Sequence, residues 1–190
     1  MKEIETLVQV FDTKEKVLQT LKSFEFKGIR KIVDVYFLNP LTKDLQVVDN
    51  KCPRKWFRVR KKDDKCYFCF KEDTFDKKDK WIYSDEYETE VKDFETLVKI
   101  IEKLGFKELV TINNLKHTYE TEDYEIVFEE VKDLGFFLEV EKLCVNEKDD
   151  VVKIKKDIQK FIDDLGIKVS PELNVGKAEM LIEKKKICLG

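Results

Sequence analysis

Apolar and polar residues alternate along Glu3-Ile4-Glu5-Thr6-Leu7-Val8-Gln9-Val10, with Ile4, Thr6, Val8 and Val10 on one face and Glu3, Glu5, Leu7 and Gln9 on the other. A period of two marks a strand with one face in apolar packing. Strand-like runs recur at 32–38, 56–62, 65–72, 81–91, 108–120, 123–131 and 136–142, which with 2–10 makes eight. Lys62-Asp63-Asp64, residues 76–80, Glu122-Asp123 and Asp133-Leu134-Gly135 supply turn signals between them. Such short connections join antiparallel neighbours.

A helical period appears in four places. Asp12 with Glu15 resembles a capping box ahead of Val17, Leu18, Leu21 and Phe24. Asp93 opens a second helix with Phe94, Leu97, Val98, Ile101 and Leu104 on one stripe, closed by Gly105. A third runs from about Glu147 to Gly166, and a fourth covers Lys177 to Lys185. The fold class expected is α+β, mainly antiparallel β: an eight-stranded closed barrel with helices packed outside, one domain over 1–190.

The polar faces carry the candidate chemistry. Arg58 and Arg60 share a strand face, as do Glu86, Glu88 and Glu90, then Glu125, Val127 and Glu129, and finally Glu139 and Glu141. Turned inward, Arg58, Arg60, Lys71 and Lys116 suit a polyphosphate, because guanidinium binds phosphate oxygens bidentately and ammonium acts as a point charge. Glu3, Glu5, Glu139 and Glu141 suit a hard cation, Mg²⁺ or Mn²⁺. The competing reading leaves all of these charges on a solvated outer surface.

Composition narrows the choice. Charged residues are 41% of the 190, yet the signs nearly cancel to a net −3, which argues against nucleic acid as a partner. No apolar run is long enough to span a membrane, and the five cysteines have no framework spacing, so a cytoplasmic protein with reduced thiols is expected. Cys66 and Cys69 spell CxxC inside an aromatic strand pattern that points them to opposite faces, which favours packing over redox or zinc chemistry. The single histidine, His117, follows Lys116 and so points away from it, toward packing rather than acid–base work.

These motifs, taken in order, resemble the CYTH superfamily, the triphosphate tunnel metalloenzymes, in its class IV adenylyl cyclase-like and thiamine triphosphatase-like branch. The resemblance rests on Glu3-Ile4-Glu5, Asp34-Val35-Tyr36-Phe37, Phe57-Arg58-Val59-Arg60, Phe70-Lys71-Glu72 and Glu86-Tyr87-Glu88-Thr89-Glu90. Leu104-Gly105-Phe106, Lys116 with Tyr119, and the run from Val131 to Glu141 extend it over roughly 2–182. It implies an eight-stranded tunnel that binds a nucleotide or other triphosphate through Arg58, Arg60, Lys71, Lys116, Glu88 and Glu90. It also implies Mg²⁺ or Mn²⁺ on Glu3, Glu5, Glu129, Glu139 and Glu141, in a monomer or homodimer.

The activity implied is cyclisation of ATP to cyclic AMP and pyrophosphate, or hydrolysis of thiamine triphosphate, a nucleoside triphosphate or inorganic tripolyphosphate. Three positions depart from the pattern. Leu7 stands where the first motif has lysine, Ser84 where a basic residue is usual, and Asn114 where a second basic residue is common. A binding module that holds a triphosphate without consuming it is the reading these losses favour.

Overall fold

The computed structural model describes residues 2–39, 41, 45, 54–78 and 80–185. In chain order the elements are β1 (Lys2–Glu3), β2 (Glu5–Gln9), α1 (Lys14–Leu21), β3 (Glu25–Leu38), β4 (Lys55–Lys62), β5 (Lys65–Phe75) and β6 (Trp81–Val91). After them come α2 (Phe94–Lys103), β7 (Lys107–Glu120), β8 (Tyr124–Val131), β9 (Gly135–Lys142), α3 (Val151–Asp164) and α4 (Lys177–Lys185). The nine strands form one sheet of order β1-β6-β5-β4-β3-β7-β8-β9-β2, and every pairing is antiparallel.

The two ends of that order are successive pieces of one segment, parted only by Ile4. Lys2 and Glu3 pair with Asp85 and Ser84 of β6, while Glu5 through Gln9 pair with Glu141 through Phe137 of β9. The N-terminal strand therefore touches both edges, and the sheet curls round a central bore. Counting β1 and β2 as one gives the eight antiparallel strands that the alternation predicts.

Inside and outside are reversed relative to an ordinary core. Ile4, Val8, Leu138 and Val140 point outward and are buried against Val17 and Leu21 of α1 and Ile158 and Ile162 of α3. Val59 and Phe57 are covered in the same way by Ile101 of α2. Truncating one of these fully buried aliphatic residues to alanine costs about 2–5 kcal/mol, so the outer layers hold the barrel and leave its interior free for charge. Helix α4 differs: Ala178, Leu181 and Ile182 pack on Leu7, Tyr36 and Ile112, residues that also line the bore. It covers the bore rather than the outer wall.

Three boundaries differ from the sequence pattern. Strand β3 begins at Glu25, not residue 32, because its first half pairs with β7 through a bulge at Gly28, where φ is +124°. That backbone suits glycine, and EFKGIRK shows no alternation to betray a strand. Thr13, not Asp12, caps α1, accepting from the Lys16 N–H at 3.4 Å; Asp12 instead accepts from Lys16 Nζ and the Lys168 N–H. Helix α3 starts after Asp150, whose carboxylate accepts from the Val152 and Lys153 N–H groups at 3.0 and 3.1 Å, while Asp149 caps a turn at Asn146. Among the described residues no helix is long and apolar enough to cross a membrane.

Candidate functional site

The bore is a cavity of about 510 Å³. Glu3, Glu5, Arg58, Arg60, Lys71, Lys116, Glu139 and Glu141 all line it, each set there by the alternation of its strand. The strand order gives the lining two sides. β3, β4 and β5 carry the arginines and Lys71; β8, β9 and the N-terminal strand carry Glu125, Glu139, Glu141, Glu3 and Glu5.

On the basic side, Arg60 makes a two-pronged contact with Asp34 of β3, Nε to Oδ1 at 2.7 Å and Nη2 to Oδ2 at 3.0 Å. Arg58 donates to Tyr36 Oη at 2.8 Å and to Glu86 Oε1 at 3.1 Å. Burial opposes the charge on Asp34, but Arg60 and Arg58 hold its pKa well below the carboxylate range. Burial likewise opposes the charge on Glu86, yet Arg58 and Lys71 keep it down at about 2. Both arginines are thus preorganised, fixed by carboxylates before any ligand arrives.

On the acidic side, cross-strand register creates a row of like charges. Glu5 stands directly opposite Glu141, and Glu141 directly opposite Glu125. Such pairs repel. Burial pushes the Glu141 pKa up to about 8, with Glu3, Glu5, Glu139 and Glu125 adding to the rise. Glu3 goes up to about 7, mainly from burial, against the pull of Lys71. Lys71 Nζ reaches Glu3 at 3.0 Å and Glu5 at 3.3 Å, which links the two sides of the bore.

Glu139 escapes this rise. Lys116 and Lys177 lie 3.3 and 2.6 Å from its carboxylate and hold its pKa well below normal despite burial. Lys177 comes from the first residue of α4, and it also binds Glu129 at 2.7 Å. The helical period marks α4 at Lys177–Lys185 but assigns Lys177 no role, since nothing in the pattern of a C-terminal helix says that it covers the bore. Asp34, Tyr36, Glu86 and Glu125 are further wall residues to which the sequence motifs assign no role, and the alternation of their strands is the signal that places them there.

Not every expected site residue faces the cavity. Glu129 is fully buried, with Oε1 taken by Lys116 and Lys177 and Oε2 by Asn114 Nδ2. Glu88 is more exposed, accepts from the Cys69 thiol at 3.0 Å and lies 3.8 Å from Arg60. Glu90 lies on the exposed stretch of β6, paired with Lys65 at 3.1 Å. Among the described residues, Cys69, Glu86 and Glu88 are the trio of thiol and carboxylate groups within 4.8 Å of one another. Burial drives the Cys69 thiol up to about 12, so it is a packing group here.

Cys66 packs on the outer face with Phe57 and Ile101, opposite to Cys69, which lines the bore. Cys52 and Cys188 lie outside the described residues. His117 is buried beneath the outer wall, its Nε2 2.8 Å from Glu130 Oε1 and its ring beside Phe128. Besides Asn114 with its bond to Glu129, the other two departures have defined surroundings. Leu7 belongs to the apolar cluster under α4, and Ser84 donates to Asp73 while accepting from the Trp81 indole.

Residues 1–171 match the family model of the CYTH domain. The chain belongs to the CYTH domain family. A Methanocaldococcus jannaschii protein named as a candidate adenylate cyclase is 35% identical over 167 residues, 86% of this chain and 90% of that protein. A solved Pyrococcus horikoshii structure has the same fold, with a TM-score of 0.78 at 24% identity, covering 95% of this chain and 99% of that one. A Hippeastrum structure, described as a candidate adenylyl cyclase with a dominant triphosphatase activity, has a TM-score of 0.62 at 15% identity, covering 98% and 97%. The curled antiparallel sheet is the fold these structures share.

Proposed function

We propose that this chain is a divalent-metal-dependent enzyme acting on an organic triphosphate, with conversion of ATP to cyclic AMP and pyrophosphate as the first reaction to test. The observation that carries the reading is the facing of two prearranged arginines by a row of carboxylates across one bore. Arg58, Arg60, Lys71 and Lys116 would bind phosphate oxygens, and Lys177 adds a cation that offsets Leu7. The 35% identical relative supports the cyclase reaction in particular.

The acidic row suits a hard cation by its donor chemistry, and a cation would draw together carboxylates that stand further apart than the Cys69, Glu86 and Glu88 groups. Its donors are all carboxylate oxygens, and Glu141 has no basic partner among the described residues while burial and its acidic neighbours raise its pKa to about 8. Glu3, Glu5, Glu139 and Glu141 would hold Mg²⁺ or Mn²⁺, with Glu129 behind them as the anchor of Lys116 and Lys177. A cation bound there supplies positive charge to the phosphates as charge shifts during transfer.

The protein's own part is positioning and electrostatics. Guanidinium and ammonium groups orient the triphosphate and stabilise charge on the departing phosphate, and no covalent nucleophile is required. The same wall would serve hydrolysis, with water in place of the sugar hydroxyl. One assay tests both: ATP, thiamine triphosphate and inorganic tripolyphosphate with Mg²⁺ or Mn²⁺, resolving cyclic nucleotide, pyrophosphate and phosphate. Binding without any product would favour the non-catalytic module instead.

A further inference from the structure

The cations of the bore fall into two groups. Arg58, Arg60, Lys71, Lys116 and Lys177 each meet a carboxylate at 2.6–3.1 Å. Arg30 and Lys62 also line the bore, yet neither has a hydrogen-bond or ion-pair partner among the described residues. Arg30 is exposed at the rim and Lys62 is half-buried. Burial, with Arg30 and Arg60 nearby, lowers the Lys62 pKa, and Glu88 and Glu125 oppose that shift without forming an ion pair with it. Partly desolvated positive charge without a partner calls for an anion.

Strand β4 sets these groups in order along the bore. Its alternation turns Trp56, Arg58, Arg60 and Lys62 to the interior at two-residue steps, a run of about 20 Å from first to last. At the Trp56 end a second indole lies close by through shared hydrogen bonds. Trp56 Nε1 donates to Asp73 Oδ2 at 2.9 Å, Ser84 Oγ donates to Asp73 Oδ1 at 2.6 Å, and Trp81 Nε1 donates to Ser84 Oγ at 3.0 Å. At the other end Lys62 stands beside the turn into β5 and opposite Ile32 of β3, and Arg30 is the next inward residue of that strand. The bore therefore has an aromatic end and a cationic end, with the paired arginines between them.

We propose that Arg30 and Lys62 form the seat of the substrate's terminal phosphate, with its organic group directed to the end where Trp56 and Trp81 stand. The inference rests on the triphosphate reading above and gives it a direction. The terminal phosphate oxygens bring to Arg30 and Lys62 the negative charge that no described side chain supplies. Arg58 and Arg60, already held by Glu86 and Asp34, take the phosphates nearer the organic group. A diphosphate anchored by the same organic group stops short of the seat, so Arg30 and Lys62 select for the longer chain.

Calorimetry with Mg²⁺ compares wild type, the double variant Arg30→Gln with Lys62→Gln, and Lys62→Arg, each titrated with ADP and with the non-hydrolysable imido analogue of ATP. In the double variant, affinity for the analogue falls at least about tenfold, as loss of a charge-assisted contact requires, while affinity for ADP stays within about twofold. Lys62→Arg keeps the charge and binds the analogue within about threefold of wild type. The urea midpoint of the ligand-free double variant is no lower than that of wild type, because the removed charges pair with nothing and repel each other.

Unchanged affinity of the double variant for the analogue, or equal losses for the analogue and ADP, overturns the inference and leaves the triphosphate reading standing, since wild type still binds. A lower urea midpoint overturns it too, because the two cations are then structural. A loss in Lys62→Arg as deep as in the double variant also counts against it. Failure of wild type to bind the analogue at all overturns both the inference and the reading beneath it.

Discussion

Glu5 and Glu141 face each other directly across the ladder between β2 and β9, with Glu125 on the far side of Glu141. Fold geometry forces this meeting: the N-terminal strand must pair with β9 to complete the ring, and both strands turn their acids inward. The outer apolar layers supply the stability that lets three acids remain adjacent, and the raised pKa of Glu141 relieves their repulsion by retaining a proton. A site that stores repulsion is poised for a cation.

The first prediction is a pH dependence of the metal-free protein. Glu141 and Glu3 have pKa values raised to about 8 and about 7 in the fold, against 4.5 as the ordinary value. Between about pH 4.5 and 8 the folded state therefore binds more protons than the unfolded one, and stability falls as pH rises. Urea midpoints measured with chelator at pH 5.5 and pH 8 should be lower at pH 8. Glu141→Gln should flatten that difference. A midpoint that rises with pH across this window would count against the acidic row.

Asp34→Ala gives the second prediction. It removes the carboxylate that clamps Arg60 and leaves two buried guanidiniums without it, which costs about 3 kcal/mol by the precedent of broken buried pairs. A triphosphate should restore part of the loss, because its oxygens take the vacated contacts. Thermal unfolding with and without inorganic tripolyphosphate measures both effects. Equal stabilisation of wild type and variant by the ligand would show that these arginines do not meet phosphate.

Leu7→Lys supplies the third. The resemblance to the family pattern makes lysine the natural restoration, but Leu7 is buried with Ala178, Leu181 and Ile182. An ammonium there is desolvated against α4, and the variant should lose about 2–3 kcal/mol without gaining turnover. Denaturation and a rate assay check the pair of effects. A faster and equally stable variant would mean that α4 yields the space.

Period-two alternation made most of the wall legible in the sequence, because inward and outward residues cannot exchange without reversing every side chain on a strand. It put Arg58, Arg60, Lys71, Glu139 and Glu141 on the inner phase. What it missed depends on partners remote in sequence. Glu129 is on the right phase, but Lys177 from α4 covers it, and no local pattern encodes that docking. The first half of β3 was hidden because EFKGIRK pairs through a bulge and has no apolar face. Asn114 stands where the pattern expects a charge, and its amide is tied to the buried Glu129, a partner no local pattern encodes.

Glu139→Ala is a poor probe of metal binding, since it strips Lys116 and Lys177 of a partner they share. Glu141→Gln is cleaner, because Glu141 holds no lysine. The most direct test of a metal-dependent triphosphate enzyme is therefore the rate of ATP turnover as a function of Mn²⁺ concentration in wild type and Glu141→Gln. Metal dependence requires no turnover in excess chelator, a saturable rise with Mn²⁺ in wild type, and a Mn²⁺ requirement at least about tenfold higher in the variant. Turnover that persists undiminished in chelator, or identical Mn²⁺ curves for the two proteins, would contradict it.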